Sequence, residues 1–121
     1  MEITNVNHIC FSVSDLNTSI QFYKDILQGD LLVSGRTTAY LTIGHTWIAL
    51  NQEKNIPRNE IKHSYTHVAF SIDEEDFQKW IQWLKENQVN ILKGRQEILK
   101  TKSRYILQIR MGIKLNYILG H

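Results

Sequence analysis

Two histidines raise the first question about chemistry. His8 and His67 stand 59 residues apart, and each sits near the start of a stretch rich in β-branched and aromatic residues, NHICFSVSD and THVAFSIDE. Aligning the stretches superposes His8 on His67, Phe11 on Phe70 and Ser12 on Ser71. A single imidazole on a strand is usually an ordinary core or surface residue, although imidazole is also the commonest metal ligand. Two at the same register of a repeated strand are different, because pseudo-symmetric halves would bring both rings to one point where they could share a cation. Cys10 follows His8 by two residues, so the period of a strand sends it to the same face. It reads equally well as a small packing residue. Trp47 and Tyr65 could wall a small-molecule pocket or fill the core. His45 in a turn, His63 in a loop and His121 near the C-terminus suggest no site, and Trp80 and Trp83 read as packing residues on a helix.

The elements that must position these residues follow from periodicity. Residues 6–13 form a strand with Val6, His8, Cys10 and Ser12 on one face and Asn7, Ile9, Phe11 and Val13 on the other. Ser14 or Asp15 caps a helix whose apolar stripe is Leu16, Ile20, Tyr23, Ile26 and Leu27, ended by Gly29. Short strands at residues 31–34, 39–43 and 46–51 come next, with turns near Gly35 and at Gly44 and His45. Residues 55–60 hold the only proline and form a connecting loop. The pattern then restarts, with a strand over 66–72 and a helix over 73–87 that turns Phe77, Ile81 and Leu84 inward. Its acidic opening, Asp73 to Asp76, complements the helix macrodipole. Composition and the repeat predict an α/β or α+β fold of two βα modules, the first completed by a β-meander, paired around a shared cleft.

Length and composition narrow the function classes. A chain of 121 residues suffices for one core, so a single domain over 1–121 is expected, with modules at 1–55 and 61–121. One cysteine excludes an intrachain disulfide framework and a thiolate zinc cluster and suits a reducing compartment. The opening residues MEITNVNH show no signal-peptide pattern and no apolar run is long enough to span a bilayer, so a cytoplasmic protein with no membrane partner is expected. A formal charge of +2 gives no mandate for nucleic acid, and no nucleic-acid motif is present. The charge is nevertheless uneven: residues 1–94 carry 8 basic and 11 acidic side chains, residues 95–121 carry 6 and 1.

With these motifs in place, NHICFSVSDL, SIQFYKDIL, TAYL, WIALNQEKNIPRNEI, SYTHVAFSID and VNILKGR together resemble the fosfomycin-resistance metallothiol transferases of the bacillithiol-using FosB type. These belong to the vicinal oxygen chelate superfamily, which includes glyoxalase, bleomycin resistance proteins and dioxygenases. The resemblance covers residues 1–95 and implies a homodimer of paired βαβββ modules, His8 reaching the partner's site. It implies His8 and His67 as metal ligands, Mn²⁺ or Mg²⁺ as the cation, fosfomycin as substrate and bacillithiol or L-cysteine as thiol donor. Cys10, Tyr40, Trp47, Tyr65 and Arg95 match positions lining the family's substrate cavity, Arg95 suiting an anionic phosphonate. The implied chemistry is Lewis-acid activation of an epoxide for attack by a thiol. Superfamily relatives that sequester drugs without turnover supply the other reading, a non-catalytic dimer binding a drug or small anion.

After Arg95 the resemblance stops. The family has a segment DPDGHK, then a hydrophobic residue and Glu-Leu-His-Thr-Gly, whose glutamate is the third metal ligand. Here QEILKTKSRYILQIRMGIKLNYILGH stands instead, with Asn116 at the glutamate's place. Codons permitted for residues 96–121, read from their third base, spell RDIKDKKSIYFTDPDGHKIELHTGT, the family's own segment. An out-of-frame tail explains both the break and the basic shift, and the second module is expected to be incomplete or altered. Within the tail, residues 105–109 and 113–118 retain enough β-propensity for a pair of strands.

Overall fold

The computed structural model describes residues 1–58, 67–93, 106–110 and 116–120, the backbone alone for 90–93 and the last two segments. The chain divides into two compact units, Met1–Ile56 and Pro57–His121, with an α+β composition.

The first unit runs β1 (His8–Val13), α1 (Leu16–Gln21) prolonged by a π-helical turn (Phe22–Ile26), β2 (Asp30–Ser34), β3 (Thr38–Ile43) and β4 (Thr46–Gln52). Asp15 is the N-cap: its backbone is extended and its Oδ1 accepts the Thr18 amide at 3.0 Å. The Leu27 amide donates to the Phe22 carbonyl at 3.0 Å, a five-residue step that inserts one residue into the helix. That insertion lets Phe22 join Tyr23 and Leu27 in the core, where the expected stripe counted only the latter two. Phe22 meets Tyr23 edge-on at 5.1 Å, and Tyr23 stacks on Phe11 of β1 at 5.8 Å. The helix ends as Gln28 takes φ 61° and the Gly29 amide caps the Tyr23 carbonyl. A Cβ at Gly29 would lie 2.9 Å from that carbonyl oxygen, so only glycine fits.

The strands form one sheet in the order β1-β4-β3-β2. β1 and β4 are parallel and the other pairs antiparallel. Phe11, Ala39, Leu41, Ile48 and Leu50 are buried with the helix residues and make the core of this unit. The opposite face of the sheet carries the residues of interest.

The second unit begins as the repeat requires, with β5 (His67–Ser71), a 3-10 turn (Glu74–Asp76) and α2 (Phe77–Glu86). Leu84 is fully buried, and Phe77, Ile81, Trp80 and Trp83 are half-buried. Gln88 takes φ 59° after α2, as Gln28 does after the first helix. β6 (Asn90–Lys93) comes next; its adjacent Ile91 and Leu92 break the alternation that marks a strand in sequence. The tail adds β7 (Ile106–Arg110) and β8 (Asn116–Gly120), within a residue or two of one expected strand and shifted toward the C-terminus for the other.

The repeat then breaks in topology. A second βαβββ module would pair β5 in parallel with its last strand, as β1 pairs with β4. Instead the order is β5-β7-β8-β6, with β5 antiparallel to β7 and β6 parallel to β8. The β7–β8 hairpin sits between β5 and β6 the other way round, so the altered second module expected from the tail is observed.

Candidate functional site

Register arranges the open face of the first sheet in three rows. Thr42, Trp47 and His8 form one, Tyr40, Ala49 and Cys10 the next, and Thr38, Asn51 and Ser12 the third. Ala49 is the small residue at the middle, so Tyr40 and Trp47 rise around a low floor; Trp47 is half exposed and Tyr40 slightly less. Four sequence-predicted site residues, His8, Cys10, Tyr40 and Trp47, thus share one face within three neighbouring strands. The helix that closes the core lies against the other face.

Side-chain hydrogen bonds fix two of them. His8 Nδ1 lies 2.8 Å from Asn7 Oδ1. With the amide oxygen facing the ring, this contact asks for the proton on Nδ1, the tautomer that leaves the Nε2 lone pair for a ligand. Thr38 Oγ1 donates to Asn51 Oδ1 at 2.9 Å, which turns the Asn51 amide nitrogen toward β1, where Nδ2 donates to the exposed Cys10 Sγ at 3.0 Å. Asn7, Asn51 and Thr38 were not singled out by sequence reasoning. Asn51 could have been found by stepping two residues along β4 from Ala49; Asn7 lies just outside β1 and left no periodic signal.

Elsewhere in this unit, burial of Tyr23 raises its phenol well above the usual range, so it stays neutral and serves packing. The Asp15 carboxylate is held below its ordinary value by the backbone hydrogen bond from Thr18.

In the second unit His67 opens β5 and is exposed with Ala69 and Ser71, while Val68 and Phe70 are half-buried. His67 therefore occupies the register that His8 occupies in β1. The register sets Arg110 opposite His67, and Asn116 opposite Asn90 on the far side of β7. Tyr65 and Arg95 lie outside the described residues. Among the described residues no three His, Cys, Asp or Glu side chains gather into a metal-holding group. Imidazole suits a divalent first-row cation, and each of these two rings is exposed in its own unit, so each fits as a donor to a metal. The carboxylate that the resemblance adds to them has no counterpart at Asn116.

Comparison with known proteins agrees with this fold. Residues 5–111 match the family described as Glyoxalase/Bleomycin resistance protein/Dioxygenase superfamily. A metallothiol transferase FosB of Staphylococcus epidermidis is 92% identical over 102 residues, 84% of this chain and 72% of that protein. Another FosB of the same species is 52% identical over 118 residues, covering 98% and 85%. One from Lysinibacillus sphaericus is 43% identical over 120 residues, covering 99% and 85%. Among solved structures, the fosfomycin resistance protein FosX of Listeria monocytogenes superposes with a TM-score of 0.77 at 21% identity, covering 99% of this chain and 94% of that one. A mutant of that FosX complexed with Mn(II) and 1S,2S-dihydroxypropylphosphonic acid superposes at 0.75 with 20% identity, covering 98% and 93%. The curated relatives named here are transferases, which favours the catalytic reading over a binding module.

Proposed function

The chain belongs to the glyoxalase/bleomycin resistance protein/dioxygenase superfamily and, within it, to the FosB metallothiol transferases, and we propose from that membership that it opens the epoxide of fosfomycin with a thiol. The observation that carries this reading is the open face of the first sheet, where His8, Cys10, Tyr40 and Trp47 stand together in a chain that is 92% identical over 102 residues to a named FosB. In the reaction the donor's sulfur forms a bond to an epoxide carbon, the carbon–oxygen bond breaks, and the ring oxygen takes a proton to become a hydroxyl.

His8 and His67 are the residues that would hold a divalent cation, Mn²⁺ or Mg²⁺, which when bound supplies Lewis-acid polarisation of the epoxide. Tyr40 and Trp47 flank the floor at Ala49 and exclude water from the apolar part of a small substrate. Arg95 pairs with the phosphonate through its fork of donors. Bacillithiol or L-cysteine is the thiol. The two units make one domain, the working form is a homodimer, and the compartment is the cytoplasm; no described helix is long and apolar enough to cross a membrane.

The chain holds two of the three protein ligands that the family resemblance asks for. Asparagine is a neutral and much weaker donor than a carboxylate toward a hard cation, so metal binding and turnover are both lowered. The unequal charge and the inverted tail hairpin support the reading of residues from 96 onward as an out-of-frame segment, and the coding DNA around Arg95 decides it.

The test is thiol consumption by the purified chain with fosfomycin, bacillithiol and Mn²⁺, with His8→Gln run alongside. Slow consumption that needs the metal and disappears in the variant is expected. A folded protein that consumes no thiol, or consumes it equally without metal, overturns the assignment for this chain.

A further inference from the structure

We propose that Asn7 is a positioning residue that fixes the tautomer of His8 and so makes Nε2 its coordinating atom. The proposal rests on the reading of His8 as a metal ligand and adds the group that prepares it. The two ring nitrogens of histidine are not equivalent on a strand. Nδ1 lies near the backbone and Nε2 at the outer tip, so the far nitrogen is the one that reaches away from the sheet. In water a neutral imidazole prefers its proton on Nε2, the wrong arrangement for that reach.

The 2.8 Å contact between Asn7 Oδ1 and His8 Nδ1 reverses this preference. Oδ1 can only accept, so the proton is held on Nδ1 and the lone pair is left at the tip. Asn7 can do this because it directly precedes β1 and lies outside the run of residues paired with β4. An outer partner on the second nitrogen is the usual device by which a protein orients a histidine ligand, and its loss commonly weakens metal binding ten- to a hundredfold. The bond here is exposed and joins sequence neighbours, so an effect at the low end, about tenfold, is expected.

The amide could be turned by half a rotation. Its nitrogen would then donate to Nδ1, the ring proton would sit on Nε2, and the metal-binding atom would be blocked. The two arrangements differ in a directly measurable way. Nitrogen-15 NMR of the metal-free, histidine-labelled full chain at a pH of about 8.5, above the ordinary imidazole range, reports the tautomer of each ring. His8→Gln identifies the His8 signals by their loss. Wild type should show His8 protonated on Nδ1. Asn7→Ala should move the proton to Nε2 and weaken Mn²⁺ binding about tenfold. Asn7→Asp, which keeps the acceptor, should hold the Nδ1 proton and the affinity.

A wild-type ring protonated on Nε2, or an Asn7→Ala ring that keeps its proton on Nδ1, overturns the proposal. The reading beneath it fails separately. If the tautomer responds to Asn7 as described but Mn²⁺ leaves the His8 signals unbroadened, His8 is not a ligand and Asn7 positions nothing for a metal. The tautomer is read without metal or turnover, so a weak centre does not obscure it.

Discussion

At the scale of single residues, the sequence made legible whatever acts locally. Ser14 and Asp15 are both recognisable as cap candidates, because a short polar side chain before an apolar periodic run has one obvious use, and the structure selects Asp15. Gly29 is recognisable as a stop for the same kind of reason. Asn51 and Asn7 have uses that depend on a strand or ring reached only after folding, so their type alone marks neither. Asp15 also gives a prediction with a definite sign. Its folded pKa lies below the ordinary 3.8 because the carboxylate accepts the Thr18 amide. A group with a depressed folded pKa contributes stability above its unfolded value and loses it as pH falls through the folded one. Asp15→Ala should therefore lower the melting temperature at pH 7, and the gap from wild type should narrow as the pH drops below 3.8. Asp15→Asn, which keeps an acceptor without the charge, should fall between the two at pH 7 and approach wild type as the pH drops. Melting curves by circular dichroism at pH 7 and near pH 3 check this; a gap that stays constant would show that the carboxylate's charge is not what caps the helix.

Among elements, β1 to β5 and both helices were legible because each presents either a period of two or an apolar helical stripe. The π-helical turn was not, since an inserted residue is a choice made by packing: it is what allows Phe22 and Tyr23 to enter the core together. β6 escaped because four residues with two adjacent apolar side chains carry no alternation. The tail's strand-forming tendency was readable from its β-branched and aromatic residues, but the order of its strands was not. Orientation of a hairpin within a sheet depends on which of its edges pairs better with each neighbour, a non-local comparison that local propensity does not encode. The order can be checked chemically. β5 and β7 place residue 69 opposite residue 108. In a Cys10→Ser background, Ala69→Cys with Gln108→Cys should form a disulfide on mild oxidation, because directly opposed positions of antiparallel strands bring Cβ atoms to about 4.5–5.5 Å. Pairing Ala69→Cys with Ile118→Cys should give none, since β7 stands between β5 and β8. A disulfide from the second pair and not the first would restore the order of the first unit and overturn the inverted hairpin.

For the whole molecule, the decisive inference from sequence was the repeat, which carried the fold class and the equivalence of His8 and His67. The motifs that carry the resemblance end with Arg95, while the family match runs on to residue 111, and the strand order of the second sheet bears on whether a metal would regain a third ligand. Placing Asn116 where the family has its glutamate suggests that one substitution, Asn116→Glu, would complete the ligand set. The topology argues otherwise. Residue 116 pairs with Asn90, and β7 separates it from the strand that carries His67. A strand spacing of about 4.8 Å puts a second-neighbour strand roughly twice that distance away, with the position of Arg110 on the strand between. The residue that register does bring opposite His67 is Arg110, a cation that repels a metal. Asn116→Glu alone should therefore leave Mn²⁺ affinity and thiol consumption within about twofold of the native chain. Replacing residues 97–121 with RDIKDKKSIYFTDPDGHKIELHTGT, which puts the glutamate at position 116, should raise both by at least about a hundredfold, since loss of even an outer-shell partner of a metal ligand is commonly felt ten- to a hundredfold. Titration of Mn²⁺ by electron paramagnetic resonance on the three proteins, each first shown to be folded by circular dichroism, separates the outcomes. Recovery by the single substitution would mean that β8 lies beside β5 and that the defect is one side chain. Recovery by the replaced segment alone would mean that the tail removed a ligand by turning the hairpin that should have delivered it.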